Sequence, residues 1–375
     1  MHPHSPEGQK RHQEKVLIPM PRADNYAYVI AYVRALRSRL LSEEQYEALL
    51  KAKDGQDVLR CLSDTVYSSY LSEYSGRPLS LSDIDSMIFK DYHHILKELM
   101  NIHTTERARQ LLETTYLRHE FSCLRIIMRL VMAGASPEKS AQLITPLGRY
   151  TPEHISRLLK AKDLRQLFSG FDDPKIRTIA IDGIAECEEV NSTIPVEMAV
   201  DRFHLNSLWA IVGKLDTWDK EPVRDIVGTE IDTTNIGLIL RGKHLGMPFP
   251  VLRDLVIPIR YKLDHEIEVA VEAATALEAM QTFSSGHYGT TISDVMAECE
   301  RQKTLLPLEL ALKRFFAQRC SHAFVGYPFG IGPLLAFLNL KYFEALDIRA
   351  LLLGKREKKS AEELRHLLLL SAKEP

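Results

Sequence analysis

The chain is poor in the features that usually announce chemistry or a membrane span. Its 375 residues include five cysteines, Cys61, Cys123, Cys187, Cys299 and Cys320, which lie far apart and form no CxxC pair. That spacing argues against a disulfide frame or a cysteine zinc site and fits reduced thiols in a cytosolic compartment. Neither sign of charge dominates. With 48 lysines and arginines against 50 aspartates and glutamates, no net field favours nucleic acid or an anionic bilayer. Long apolar runs are missing too: the richest stretch, Pro333 to Leu353, is broken by Asn339, Lys341, Glu344, Asp347 and Arg349, which are costly in hydrocarbon. The stretch from Met1 to about Met20 holds His2, Pro3, His4 and Pro6 but no apolar core of a signal peptide, so residues 1–24 are expected to form a mobile leader. Alternating strand patterns of useful length are scarce, and Phe249 to Ile257 is the ambiguous segment.

What the sequence does contain is a repeat. The run Leu124-Arg125-Ile126-Ile127-Met128 returns as Ile236-Gly237-Leu238-Ile239-Leu240 and again as Ile348-Arg349-Ala350-Leu351-Leu352, in two equal steps of 112 residues. Residues outside that run obey the same step. Glu120 falls on Asp232 and Glu344, Asp85 on Glu197 and Glu309, Lys90 on Arg202 and Arg314, and Leu143 on Leu255 and Leu367. Upstream, Leu49-Leu50-Lys51-Ala52-Lys53-Asp54 returns as Leu158-Leu159-Lys160-Ala161-Lys162-Asp163. Three units follow, at 25–145, 146–257 and 258–375, with Pro146 and Pro258 at the joins.

Within a unit the apolar residues recur at helical spacing, as in Ile88, Tyr92, Leu96 and Leu99, and in Leu124, Ile127, Met128 and Val131. Start signals agree: Ser42-Glu43-Glu44-Gln45 has the shape of a capping box, and Ser136-Pro137 and Thr151-Pro152 place proline in a first turn. Gly134, Gly246 and Gly354 mark expected helix ends. The class is all-α, with about five or six helices per period. Three such units can stack in a line or close around a pseudo-three-fold axis, and the spacing accommodates both.

The third unit carries Tyr327-Pro328-Phe329-Gly330-Ile331-Gly332-Pro333, a long apolar helix through Glu344, and Ile348-Arg349-Ala350-Leu351-Leu352-Leu353-Gly354-Lys355. The second carries Asn235-Ile236-Gly237-Leu238-Ile239-Leu240-Arg241-Gly242-Lys243 and ends on Ile257-Pro258, while Asn25-Tyr26-Ala27-Tyr28 opens the first. Together these motifs resemble the C subunit of the archaeal and bacterial V/A-type ATP synthases, the relative of the d subunit of vacuolar ATPases, over about Asn25 to Leu370. The first unit departs locally, with Leu130-Val131 where the others have Gly-Lys. The resemblance implies a non-catalytic rotor adaptor on the cytoplasmic side of the membrane. Its three helical domains would close into a funnel, binding the membrane proteolipid ring on one face and the coiled-coil shaft in the cavity. A helical-repeat scaffold with unrelated partners is the alternative.

No catalytic, cofactor or metal residue is expected. Gly237 to Lys243 matches GxxxxGK, yet His244 stands where a phosphate loop needs Ser or Thr, and Leu238, Ile239 and Leu240 align with a helix in the third unit. His93, His94, His119 and His322 do not share a cluster with ligand partners at i+3 or i+4. Candidate docking residues are Glu120, Asp232, Glu344, Arg125, Arg349, Arg241, Lys243 and Lys355. The acids and their neighbouring arginines serve either a docking face or pairs and caps within each repeat.

Overall fold

Apolar residues recurring every three or four positions produce helices throughout, and no strand occurs among the described residues. The computed structural model describes residues 23–71, 74, 76, 79–102, 105–141, 144, 150–171, 174–325 and 329–370. Residues 1–22 of the expected leader, Leu143, the join at Pro146 and the Tyr327-Pro328 pair lie outside them.

Helix α1 (Ala23–Arg37) precedes three parallel series. The first comprises α2 (Glu43–Lys51), α3 (Gly55–Leu62), α4 (Ser68–Leu71), α5 (Leu81–Asn101), α6 (Glu106–Met132) and α7 (Pro137–Ala141). The second runs α8 (Pro152–Leu158), α9 (Leu164–Ser169), α10 (Pro174–Val190), α11 (Ile194–Val212), α12 (Thr217–His244) and α13 (Phe249–Leu255). The third runs α14 (His265–Glu272), α15 (Ala276–Ser284), α16 (Gly289–Gln302), α17 (Leu306–His322), α18 (Gly332–Arg356) and α19 (Ala361–Arg365). The segment that is ambiguous in sequence is α13. Its Pro248 and Pro250 sit at the helix start, where a missing N–H costs nothing.

Local chemistry sets the ends. Ser42 and Gln45 form the expected capping box, Ser360 and Glu363 form another, and Asp54 and Asp163 cap α3 and α9 alike by accepting the N–H of the third residue on. The long helices stop at 132, 244 and 356, and the backbone then turns left-handed at Gly134, Gly246 and Lys358 (φ +61°, +69° and +59°). Gly354, expected at this turn, instead lies inside α18. Its missing Cβ makes room for Leu364, whose Cδ2 would stand 2.1 Å from it, and Gly242 accommodates Leu252 in the same way at 2.5 Å. The first copy reverses the sizes at these two positions, with Leu130 and Ser140. That exchange gives the departure at Leu130 a packing rationale.

Burial among the described residues divides into four clusters. Three of them join the end of one long helix to the hairpin of the following copy: α6 with α8 and α9, α12 with α14 and α15, and α18 with α2 and α3. The last of these brings residues near both ends of the described chain together, Leu49 and Val58 with Ile348 and Leu364. The fourth cluster is central and collects α1, α5, α11, α17 and the first halves of the long helices. No helix among the described residues is long and apolar enough to cross a membrane.

Candidate functional site

The three long helices meet where residues one period apart come face to face. Arg118 of α6 pairs with Glu230 of α12, one step of the repeat away, and donates to Asn339 Oδ1 of α18 at 3.0 Å. Tyr342, the third residue at that position, lines the same cleft of ≈ 290 Å³. Burial pushes the Glu230 carboxyl up while Arg118 opposes it, and at Arg118 burial lowers the value but Glu230, with the Tyr92 and Tyr342 side chains, brings the net shift above the ordinary one. His204 also lines the cleft. Burial, with Arg118 and Arg125 nearby, drives its pKa well below the ordinary value, so the ring is neutral.

Around the cleft each long helix grips the next copy with an arginine. Arg129 holds Glu197 at 2.8 and 2.6 Å, Arg241 approaches Glu309 at 3.7 Å, and Arg349 pairs with Asp85. The three acids occupy one position of the repeat, and the third contact leads back to the first copy. Arg125 adds a contact in which Nη1 reaches both carboxylate oxygens of Asp201, at 2.7 and 2.9 Å.

The recurring acids face inward. Glu120, Asp232 and Glu344 are all buried. Asp232 accepts the backbone N–H of Lys262 at 2.8 Å and the hydroxyl of Tyr288 at 3.0 Å. Glu344 accepts the N–H of Leu41 and, at 2.9 Å each, the Tyr67 hydroxyl and the Lys341 ammonium. Asp232 and Glu344 therefore each fasten the loop and hairpin of the next copy, and for Glu344 the next copy is the first. A second clasp lies three residues further on: Asn235 accepts from Ile257 N–H at 2.9 Å, and Asp347 accepts from Leu369 and Leu370 N–H at 2.7 and 3.0 Å.

The candidate arginines pair between copies rather than with the acid on their own helix. Arg125 and Arg241 reach the cleft, whereas Arg349 lies at the contact between α18 and α5. Lys243 is half-buried near the end of α12, and Lys355 donates to the Leu50 carbonyl at 2.7 Å. The phosphate-loop lookalike from Gly237 to Lys243 is continuous helix in α12. Sequence reasoning does not single out Arg118, His204, Glu230 or Lys313, all cleft-lining. Arg118 and Glu230 do leave a trace there, as opposite charges one period apart. No group of three or more His, Cys, Asp or Glu suited to a metal occurs among the described residues.

A six-helix pattern used three times, with each long helix clasping the next hairpin, describes an all-helical repeat protein held together by contacts between its copies. The chain belongs to the ATP synthase (C/AC39) subunit family, whose model matches residues 29–367. It is similar to the A-type ATP synthase C subunit of Methanocaldococcus jannaschii, 24% identical over 92% of this chain and 86% of the relative. It is also similar to the C subunits of the A-type ATP synthases of Haloferax volcanii, 26% identical over 88% and 93%, and of Pyrococcus horikoshii, 24% over 92% and 90%.

Proposed function

We propose that this chain is a non-catalytic adaptor in the central stalk of a rotary ATP synthase, joining a coiled-coil shaft to the membrane proteolipid ring from the cytoplasmic side. The observation that carries the reading is the return of α18 to the first copy. Glu344, Asp347 and Arg349 hold Leu41, Tyr67, Tyr46 and Asp85 as Asp232 and Arg241 hold the third copy. Such contacts favour closure of units 25–145, 146–257 and 258–375 around a pseudo-three-fold axis over a linear stack, with their cores crossing the joins. A closed helical collar with a polar central cleft suits a part that must transmit torque, because neighbours constrain one another all the way round. Shape-complementary interfaces of large area are the physical requirement for a loaded joint. The exposed Arg241 and the half-buried Lys243, Arg349 and Lys355 supply docking charge, and the inward acids set the distances between the units that present it.

In the assembled complex, removal of the chain from Ile259 onward is expected to uncouple ATP hydrolysis from ion movement. Ion pumping that persists undiminished after that deletion sinks the adaptor reading. Co-purification of the full chain with unrelated proteins, and without ring or shaft subunits, would favour the scaffold alternative instead.

A further inference from the structure

One position of the repeat is filled in the first contact and empty in the second. Residues 125, 237 and 349 share a place on the long helices, and residues 89, 201 and 313 share a place on α5, α11 and α17. Between the first and second copies the pair is Arg125 with Asp201. One period later the corresponding residues are Gly237 and Lys313, so the arginine has become a bare backbone and the acid a cation. A Cβ built on Gly237 would find only the Arg241 guanidinium within 4 Å, at 3.8 Å, which leaves the place open. Lys313 is exposed and makes no ion pair among the described residues. Both residues line the ≈ 290 Å³ cleft.

The charges of that cleft otherwise balance. Arg118 has Glu230, Arg125 has Asp201 and Arg241 has Glu309, which makes Lys313 the surplus cation among the described residues of the lining. His204, 4% exposed in the same lining, has no hydrogen-bond partner at either ring nitrogen. A buried imidazole without a partner is costly unless something supplies one. An arriving carboxylate meets both needs: it accepts from the lysine and from the imidazole N–H.

We propose that the open place opposite Gly237 is a subsite for a carboxylate brought by a helical partner, an aspartate or glutamate side chain that pairs with Lys313 and takes a hydrogen bond from His204. The proposal rests on the adaptor reading, in which a shaft is bound at the centre of the helical copies, and adds the chemistry by which one side of this cleft recognises it. It also breaks the equivalence of the three copies, so a shaft carrying one such acid would enter in one rotational setting.

The test measures binding of the purified shaft subunits of the same ATP synthase to the full-length chain by calorimetry. Lys313→Glu is expected to weaken binding about tenfold or more and to flatten its salt dependence, with Lys313→Arg close to wild type. Gly237→Asp places a carboxylate in the gap from within, and it is expected to weaken binding while thermal stability holds or rises. Shaft binding that survives both Lys313→Glu and Gly237→Asp unchanged overturns the subsite and leaves the adaptor reading intact. Shaft subunits that fail to bind even the wild-type chain overturn both.

Discussion

The clasp at Asp232 and the clasp at Glu344 use the same position, the same kind of backbone donor and a tyrosine at a matching distance, yet they solve the charge problem differently. At Glu344 the ammonium of Lys341 sits 2.9 Å away and also pairs with Asp91 at 2.6 Å, all three nearly inaccessible to solvent. At the corresponding place before Asp232 stands Thr229, and the carboxyl is pushed up to about 6 by burial that its hydrogen-bond donors only partly oppose. Contacts between consecutive copies are helped by the chain that links them, and little loop-closure entropy is at stake. The contact between α18 and the first hairpin joins segments about 300 residues apart, as in the 303-residue separation of Leu41 from Glu344, and there a buried cation has been added. Repetition supplied the carboxylate, and of these two clasps the closing one acquired a counter-ion.

The comparison breaks most sharply at Lys341. Lys341→Met strands Asp91 and Glu344 without a cation and is expected to cost about 3–5 kcal/mol by urea denaturation, part of it recovered when Asp91→Asn is added. A smaller loss than that of Asp232→Asn, measured alongside, would contradict the difference drawn between the two clasps.

A subtler effect separates carboxyls that make no ion pair of their own among the described residues. Burial raises Asp347 to about 7 and Asp232 to about 6, from an ordinary 3.8. Between the ordinary value and these raised ones the folded state binds more protons than the unfolded one. Their contribution to stability is therefore full below about pH 4, falls as pH rises to about 6 or 7, and is level above. Asp347 faces the Leu369 and Leu370 amides, the Tyr46 hydroxyl and Glu344. Asp347→Asn, which copies the asparagine at 235, is expected to reduce that decline, so that the variant's deficit relative to wild type shrinks by about 1 kcal/mol or more between pH 5 and pH 8. Equal slopes for both proteins on a pH series of thermal melts would refute it. At the small end lies Arg365, whose pairing with Glu47 across the same closing contact is open to solvent. Arg365→Ala is expected to leave the denaturation midpoint unchanged within error, since exposed pairs are screened.

Much of this is legible in the chain. The helical class, the step of 112 and the caps at Ser42 and Thr151 follow from apolar spacing and short-range hydrogen bonding, which operate over a few residues. The left-handed turn at Lys358 is not legible, because glycine advertises that conformation and lysine does not. Gly354 misleads for the converse reason: its smallness serves Leu364, a contact that spacing cannot reveal. The acids stand out in sequence, but their partners do not. Tyr67 and Leu41 lie 277 and 303 residues from Glu344, and no local signal joins them.

Periodicity and capping are local consequences of side-chain shape, so the order of residues was enough to establish one helical pattern used three times and the places where its acids and arginines recur. Which copy each charge serves, the return of the last long helix to the first hairpin, and the meeting of Lys313 and a glycine in the lining of one cleft were settled only when the chain folded. Those outcomes depend on packing between distant segments, where burial turns a carboxylate from a solvated group into one that must be given donors.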